Sequence, residues 1–171
     1  MNHQLLMSTC LAAFFCSACG ATNHPYEDPE AVLEEFKDQH ASAKAGSGNT
    51  ELVASTNYVP FGRRSTFALY ATYENAERQR VGELKATVDV LDKADSKGGW
   101  TILETVAEQW QKDLQVPAAP GLPQAVTAHK PGRFIPADST GLYEVTRQAL
   151  PKGETLRLTW RTAAFVRQHP Q

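Results

Sequence analysis

Apolar and polar residues alternate from 83 to 90, which is the pattern of a β-strand buried on one face. The apolar positions of this stretch are Leu84, Ala86, Val88 and Val90. Lys97-Gly98-Gly99 supplies the residues of a turn, and the segment from Trp100 to Trp110 again places apolar residues on one side. The pattern therefore predicts a long hairpin formed by 83–90 and 100–110.

The clearest pair of strands is predicted at the carboxyl end. One strand runs from Leu142 to Ala149, and the other alternates from Leu156 to Val166. Pro151-Lys152-Gly153 joins them, because proline fits the first corner of a tight turn and glycine accepts a positive φ.

Two further strands and one helix are predicted upstream. The strands cover 52–59 and 67–73. Asp28-Pro29-Glu30 is the expected start of a helix that ends between 40 and 43, since Asp caps free amides and proline is tolerated in the first turn. Residues 44–50 are small and polar and predict a break.

Five prolines lie between Val116 and Pro136, and proline removes backbone donors from helices and strands. We expect a long proline-rich loop at 116–136. A loop of this length in a compact domain is a candidate for the rim of a binding site. Together the elements predict a mainly β protein with an N-terminal helix, in the α+β class. Its antiparallel sheet of about six strands would form a sandwich or a half-barrel.

The amino-terminal segment is apolar but short. From Leu5 to Ala18 it contains no charged residue, proline or glycine, and the first Asp, Glu, Lys or Arg of the chain is Glu27. A helix that crosses a bilayer needs about 20 apolar residues, whereas a signal peptide needs fewer. The sequence therefore predicts a signal peptide over residues 1–18.

The end of this segment, Cys16-Ser17-Ala18-Cys19, resembles the lipobox of bacterial lipoproteins. The resemblance implies that Cys19 becomes the first residue and is acylated, for example with palmitate. It also implies delivery to the outer membrane, facing the periplasm, because Gly20 rather than Asp follows the cysteine. Residues 19–27 would then be a tether and 28–171 a single domain. Secretion after cleavage near Ala18 or Ala21, or a retained apolar terminus in a cytosolic protein, remain alternatives.

Composition excludes several functions. The chain has 17 Lys plus Arg against 19 Asp plus Glu, and this balance is not typical of a nucleic-acid-binding protein. All three cysteines lie in the first nineteen positions. After cleavage before Cys19, the domain would contain no disulfide, no catalytic thiol and no cysteine-bound zinc.

Histidines and carboxylates give little support for catalysis. His24, His40, His129 and His169 all fall outside the predicted strands, and no pair has the helical spacing of a metal site. Asp138, Ser139 and His129 are the residue types of a hydrolase triad, but the Gly-x-Ser-x-Gly motif is missing. We therefore expect no enzymatic activity and no cofactor.

Arginines and aromatic residues supply the candidate binding positions. Arg157, Arg161 and Arg167 alternate along the last predicted strand, with Arg147 on the strand before it, and guanidinium groups bind acidic partners. A second aromatic and basic cluster comprises Tyr58, Phe61, Arg63 and Arg64, although the same segment also fits a bend between strands.

The sequence thus predicts an envelope protein, lipid-anchored or secreted, with a non-catalytic role. Its partner would be a protein, and the role that of an inhibitor, immunity factor or assembly factor. The alternative is a carrier of an apolar ligand or lipid, held by a curved sheet whose lining includes Phe67, Leu69, Trp100, Trp110 and Trp160. A hydrolase of undetected type is the third hypothesis.

Overall fold

The computed structural model of the protein describes residues 24–46 and 51–170. Within this part, eight strands form one open antiparallel sheet, and four helices accompany it. The predicted class, mainly β with an N-terminal helix and an antiparallel sheet, is confirmed. The predicted signal peptide and the predicted lipidation site, Cys19, lie outside the described residues.

The elements follow one another in a simple order. The helices are α1 (Pro29–Gln39), α2 (Ser96–Lys112), α3 (Leu122–Thr127) and α4 (Ala163–Gln168). The strands are β1 (Lys44–Ala45), β2 (Leu52–Ser55), β3 (Val59–Phe61), β4 (Ser65–Tyr73), β5 (Val81–Val90), β6 (Gly132–Phe134), β7 (Gly141–Leu150) and β8 (Gly153–Thr162). Short 3-10 turns at Pro25–Glu27 and Lys93–Asp95 precede α1 and α2.

The strand order across the sheet is β1-β2-β4-β5-β8-β7-β6, and β3 also pairs with β4. The chain therefore crosses from β5 to β6 through α2 and α3, and then returns to the centre of the sheet as the β7–β8 hairpin. The pairing of β5 with β8 joins the two halves of the chain into one sheet, with Leu84 opposite Trp160 and Ala86 opposite Leu158.

The core lies between the sheet and the helices on one of its faces. Inward side chains of β4, β5, β7 and β8, such as Leu69, Leu84 and Leu158, are fully buried. Phe36 of α1 and Trp100 and other residues of α2 belong to the same cluster. The opposite face of the sheet carries the polar positions of the same strands, and we call it the open face.

The predicted strand at 100–110 is wrong, because this segment is part of α2. The buried residues of α2 and of the segment after it recur at helical spacing: Trp100, Leu103, Val106, Ala107, Trp110 and Leu114. The predicted turn at Lys97-Gly98-Gly99 is also wrong. A Cβ atom on Gly99 would lie 2.9 Å from Val90 Cγ2, so glycine there allows α2 to approach the sheet closely.

The last predicted strand is confirmed as far as Thr162, and its prediction is wrong for the residues after Thr162. Residues 163–168 form α4, whose first turn is capped because the Phe165 amide donates to Thr162 Oγ1 at 3.1 Å. Arg167 therefore lies on a helix and does not continue the row of Arg157 and Arg161. The β7–β8 hairpin itself is confirmed, with Leu150 opposite Gly153 across the turn.

The proline-rich loop at 116–136 contains regular structure, contrary to the prediction of a continuous loop. Pro123 lies in the first turn of α3, where its missing N–H is tolerated, and Leu122 and Val126 are buried. β6 then pairs with β7, with Gly132 opposite Val145.

The amino-terminal helix is confirmed, and its start is the predicted one. Asp28 Oδ1 accepts from the Glu30 amide at 2.9 Å, and Pro29 is the first helical residue. The predicted tether, however, ends earlier than residue 27. Tyr26 is buried and packs edge-on against Trp160 at 5.8 Å, so the segment from Pro25 onward belongs to the domain.

Candidate functional site

A polar trough on the open face is the best candidate for a binding site. It has a volume of about 530 Å³ and lies over β5, β8 and β7. Threonines of these strands, Thr87, Thr146 and Thr159, form part of its lining. Its remaining lining residues are aromatic or charged: Tyr58, Tyr70, Glu83, Lys85, Glu144, Arg157 and Arg161.

Strand register places these side chains together. Tyr70, Lys85, Thr159 and Glu144 stand opposite one another on four consecutive strands. The neighbouring rows bring Thr87 opposite Arg157 and Glu83 opposite Arg161. Side chains at directly paired positions lie on one face of the sheet, so the trough is a consequence of the register.

Arg161 is held in place by two carboxylates. Its Nε donates to Glu83 Oε2 at 2.7 Å, and one terminal nitrogen donates to Glu144 Oε2 at 3.1 Å. The side chains of all three residues are at least four-fifths buried, with Arg161 17% exposed. This guanidinium therefore links β5, β8 and β7, and its charge is compensated.

Arg157 lies four residues away on the same strand and face, but its environment is different. Its side chain is exposed and makes no ion pair or hydrogen bond with any residue of 24–46 or 51–170. Its register neighbours are Thr87 and Thr146, neither of which is charged. Arg157 therefore presents an uncompensated guanidinium to solvent at the trough.

Two tyrosines line the trough beside these arginines. Tyr58 is 62% exposed, whereas Tyr70 is half-buried with Lys85 Nζ 5.2 Å from its ring centre. Burial, followed by a hydrogen bond with Tyr58, raises the pKa of Tyr70 to about 12. The Tyr70 ring and hydroxyl therefore already have partners in Lys85 and Tyr58, and the exposed Tyr58 ring is the one open to a binding partner.

The other predicted binding residues lie elsewhere. Arg147 is on the helix-covered face, where its Nε donates to Glu154 at 2.5 Å. Arg63 and Arg64 form the turn between β3 and β4, and Phe61 is half-buried against the core. Of the eight predicted positions, the structure brings only Tyr58, Arg157 and Arg161 together.

The segment 61–64 is a bend between strands, and a buried carboxylate maintains it. Asp95 accepts hydrogen bonds from the amides of Arg63 (2.9 Å) and Arg64 (3.3 Å) and from Ser65 Oγ (2.8 Å). The Ser65 hydrogen bond is the main reason that the pKa of Asp95 is lowered. Gly62 has φ +59° and leaves room for this carboxylate.

Several residues of the trough are not among the binding positions predicted from the sequence. Glu83, Glu144, Lys85 and Thr159 line the trough and occupy polar positions of predicted strands. The signal was available in part, because charges of opposite sign recur on the polar faces of 83–90 and 156–161. What the sequence did not reveal was which strands are neighbours.

The histidines considered for catalysis each pack against an aromatic ring. His129 stacks on Trp100 at 5.1 Å, His40 meets Phe67 edge-on at 5.0 Å, and His24 stacks on Tyr26 at 5.1 Å. Asp138 accepts from the hydroxyl of Thr140 at 2.8 Å. Across the described ranges, no group of three or more His, Cys, Asp or Glu side chains is placed to hold a metal ion.

The aromatic residues considered for a carrier belong to the packed core. Trp100, Trp110 and Trp160 are at most 2% exposed and lie in one cluster with Leu69. Phe67 packs against the same cluster. These side chains therefore fill the space between sheet and helices, as core aromatics usually do.

Comparison with protein-family models, with curated proteins and with solved structures found no match for this chain. Among the helices of residues 24–46 and 51–170, none is long and apolar enough to cross a membrane.

Proposed function

We propose that the protein is a cell-envelope protein, anchored through an acylated Cys19 or secreted, that binds a protein partner without catalysing a reaction. The binding site is the trough on the open face. The observation that carries this proposal is the exposed, uncompensated Arg157 in a trough that the exposed Tyr58 also lines and whose other arginine is fixed by Glu83 and Glu144.

The chemistry of the trough suits a protein surface that offers a carboxylate. Arginine and tyrosine are enriched at the centres of protein interfaces, where a guanidinium pairs with a carboxylate and a ring adds apolar area. Arg161 is locked before binding, so no side-chain freedom is lost there when a partner arrives. Arg157 then supplies the charge that the partner neutralises.

The position of the first described residues is compatible with an anchor. His24 and Tyr26 line a pocket with Thr140 and Thr162, at the end of the sheet where β7 begins and β8 ends. Residues 19–23 can span at most about 18 Å when extended. An acylated Cys19 would therefore hold this end of the sheet near the membrane and leave the trough accessible from the side.

The anchor is tested by mass spectrometry of the protein extracted from membranes. We expect a first residue at Cys19 that carries acyl chains, and a Cys19→Ala variant that leaves the membrane fraction. An unmodified amino terminus at another position would refute the anchor without affecting the binding site.

Binding is tested by purification of the full chain from envelope extracts under gentle conditions. We expect a partner that co-purifies with the wild type and is lost with Arg157→Glu and with Tyr58→Ala. Arg167→Glu is the matched control, because Arg167 is an exposed arginine on α4, away from the trough. If the same proteins co-purify with all four forms, the trough is not the binding site.

A further inference from the structure

A second surface, at the far edge of the sheet, has the properties of a peptide-binding strand edge. β6 pairs with β7 only at positions 143–145 of β7. In the described part of the chain, no other strand pairs with this side of β7, so residues 146–150 have a neighbour, β8, on one side only. Their outward backbone N–H and C=O groups form an open edge.

This edge lacks the usual protection against pairing. Natural edge strands are blocked by charged side chains, prolines or bulges. Here Gln148, Ala149 and Leu150 are exposed and uncharged, and β7 pairs with β8 without a bulge. The single charge, Arg147, is compensated because its Nε donates to Glu154. Within the described ranges, this edge is therefore regular and unpaired, as a strand-accepting edge must be.

A groove runs beside this edge on the helix-covered face. Its volume is about 840 Å³, and Val90, Leu150 and Pro151 contribute apolar lining. Lys93, before α2, and Lys152, at the tip of the β7–β8 hairpin, also line it. Both lysines are exposed, and neither side chain makes an ion pair or hydrogen bond within residues 24–46 and 51–170.

Glu154 does not compensate the charge of these lysines, because both of its carboxylate oxygens already accept hydrogen bonds. Ser96 Oγ donates to Glu154 Oε1 at 2.6 Å, and Arg147 Nε donates to Oε2. The same contacts fix the hairpin to the start of α2, so the groove has a rigid wall. Its free charge is therefore positive, contributed by Lys93 and Lys152.

We propose that the edge of β7 from Thr146 to Leu150 binds an extended peptide that carries acidic side chains. The peptide adds as a further strand beside β7, and backbone hydrogen bonds provide the affinity. Every second side chain of the added strand points to the groove, where carboxylates meet Lys93 and Lys152. This inference is independent of the trough, which lies on the opposite face.

The positive charge of the groove also opposes pairing of the β7 edge with a second copy of this chain. Pairing of two β7 edges would bring the positive groove of one molecule beside that of the other, and like charges at such a contact oppose association. An acidic peptide has the complementary charge.

The test uses the full chain and a fluorescein-labelled peptide, Val-Glu-Val-Glu-Val-Glu-Val, with Val-Lys-Val-Lys-Val-Lys-Val as its charge-reversed counterpart. Fluorescence anisotropy gives the affinity, and hydrogen exchange read by mass spectrometry gives the location. We expect binding of the glutamate peptide at least tenfold tighter than that of the lysine peptide. Exchange should slow in the segment 146–150.

Charge reversal provides the decisive variant. Lys93→Glu combined with Lys152→Glu should weaken binding of the glutamate peptide about tenfold and strengthen binding of the lysine peptide. The double control, Lys112→Glu with Arg167→Glu, makes the same charge change at exposed positions on α2 and α4 that do not line the groove and should leave both affinities unchanged. The gained binding of the lysine peptide shows that the variant is folded.

Three results would overturn the proposal. The first is equal affinity for the two peptides, or no binding of either. The second is slowed exchange outside β7. The third is a concentration-dependent dimer in sedimentation that protects 146–150 without peptide, since the edge would then be occupied by a second copy.

Discussion

Arg157 and Arg161 show how two identical side chains on one strand face acquire different roles. Arg161 stands opposite Glu83 and donates to both Glu83 and Glu144, whereas Arg157 stands between two threonines. The sequence placed both on one face correctly, because alternation along a strand is local information. It did not reveal the carboxylates, because these come from strands that are up to 78 residues away along the chain.

Replacement of Arg161 or Arg157 by alanine should lower the stability of the protein by different amounts. Arg161→Ala leaves two largely buried carboxylates without their shared cation, so we expect it to lower the free energy of unfolding by about 1–3 kcal/mol. Arg157→Ala should change it by less than about 0.5 kcal/mol, as exposed substitutions usually do. Urea unfolding at pH 7 measures both. If both variants lose the same free energy of unfolding, the ion pairs of Arg161 with Glu83 and Glu144 do not stabilise the fold.

Protonation of Asp95 should lower the stability of the protein. Hydrogen bonds, first from Ser65 and then from the amides of Arg63 and Arg64, hold its pKa below the ordinary value of 3.8. A lowered folded-state pKa means that the stabilisation is present above the unfolded-state value and is lost as the pH falls through the folded-state pKa.

We therefore expect Asp95→Ala to be clearly less stable than the wild type at pH 6, with the difference narrowing as the pH falls below about 4. Urea midpoints measured from pH 3 to 7 follow this difference. A gap that stays constant over the whole range would mean that the carboxylate charge at position 95 does not stabilise the bend.

Helix α2 is an element that the local sequence pattern predicts incorrectly. The short apolar run of 100–110 fits an alternating pattern through Trp100, Ile102 and Val106, and the two glycines before it suggest a turn. The buried residues, among them Trp100, Leu103 and Trp110, instead recur with the period of an α-helix and face the sheet. Gly99 is explained by the close approach of α2 to Val88, Val90 and Leu156, which only the folded protein shows.

Gly98 and Gly99 provide a matched test of this packing. A Cβ atom on Gly98 would meet only the ring of Phe61, at an ordinary 3.6 Å, whereas one on Gly99 would press on Val90. We expect Gly99→Leu to destabilise the protein by about 1–3 kcal/mol through overpacking. Gly98→Leu should leave stability unchanged or raise it by up to about 1 kcal/mol, because leucine is the better helix former.

Thermal or urea unfolding, followed by circular dichroism, compares the two variants. If Gly98→Leu and Gly99→Leu lose stability equally, α2 does not approach the sheet through Gly99.

At the scale of the whole molecule, the sheet divides the protein into a packed side and an exposed side. Helices α1, α2 and α3 and the buried tryptophans fill one face, while β4, β5, β7 and β8 leave their polar positions on the other. The sequence predicted this division, since half-buried strands alternate in polarity. The sequence did not predict the order of the strands. It therefore did not predict that Tyr58, Arg157 and Arg161 converge.

Tyr26 connects the amino-terminal segment to this architecture. It is 2% exposed and contacts Trp160, so the domain begins before α1. We expect Tyr26→Ala to cost about 3–4 kcal/mol, as for other large aromatic residues truncated in a core. Urea unfolding of the full chain measures the loss, and Tyr58→Ala, which removes an exposed tyrosine, is the control. A Tyr26→Ala variant as stable as Tyr58→Ala would place Tyr26 in the tether.

Photo-crosslinking in intact cells shows whether the trough on the open face binds a protein partner. A photoreactive amino acid replaces Thr146, a half-buried residue that lines the trough, and separately replaces Gln168 on α4 as the control. The proposal predicts one covalent adduct of defined mass from position 146, none of that mass from position 168, and loss of the adduct when Arg157→Glu is added. An absent adduct at 146, or one that persists with Arg157→Glu, would contradict it.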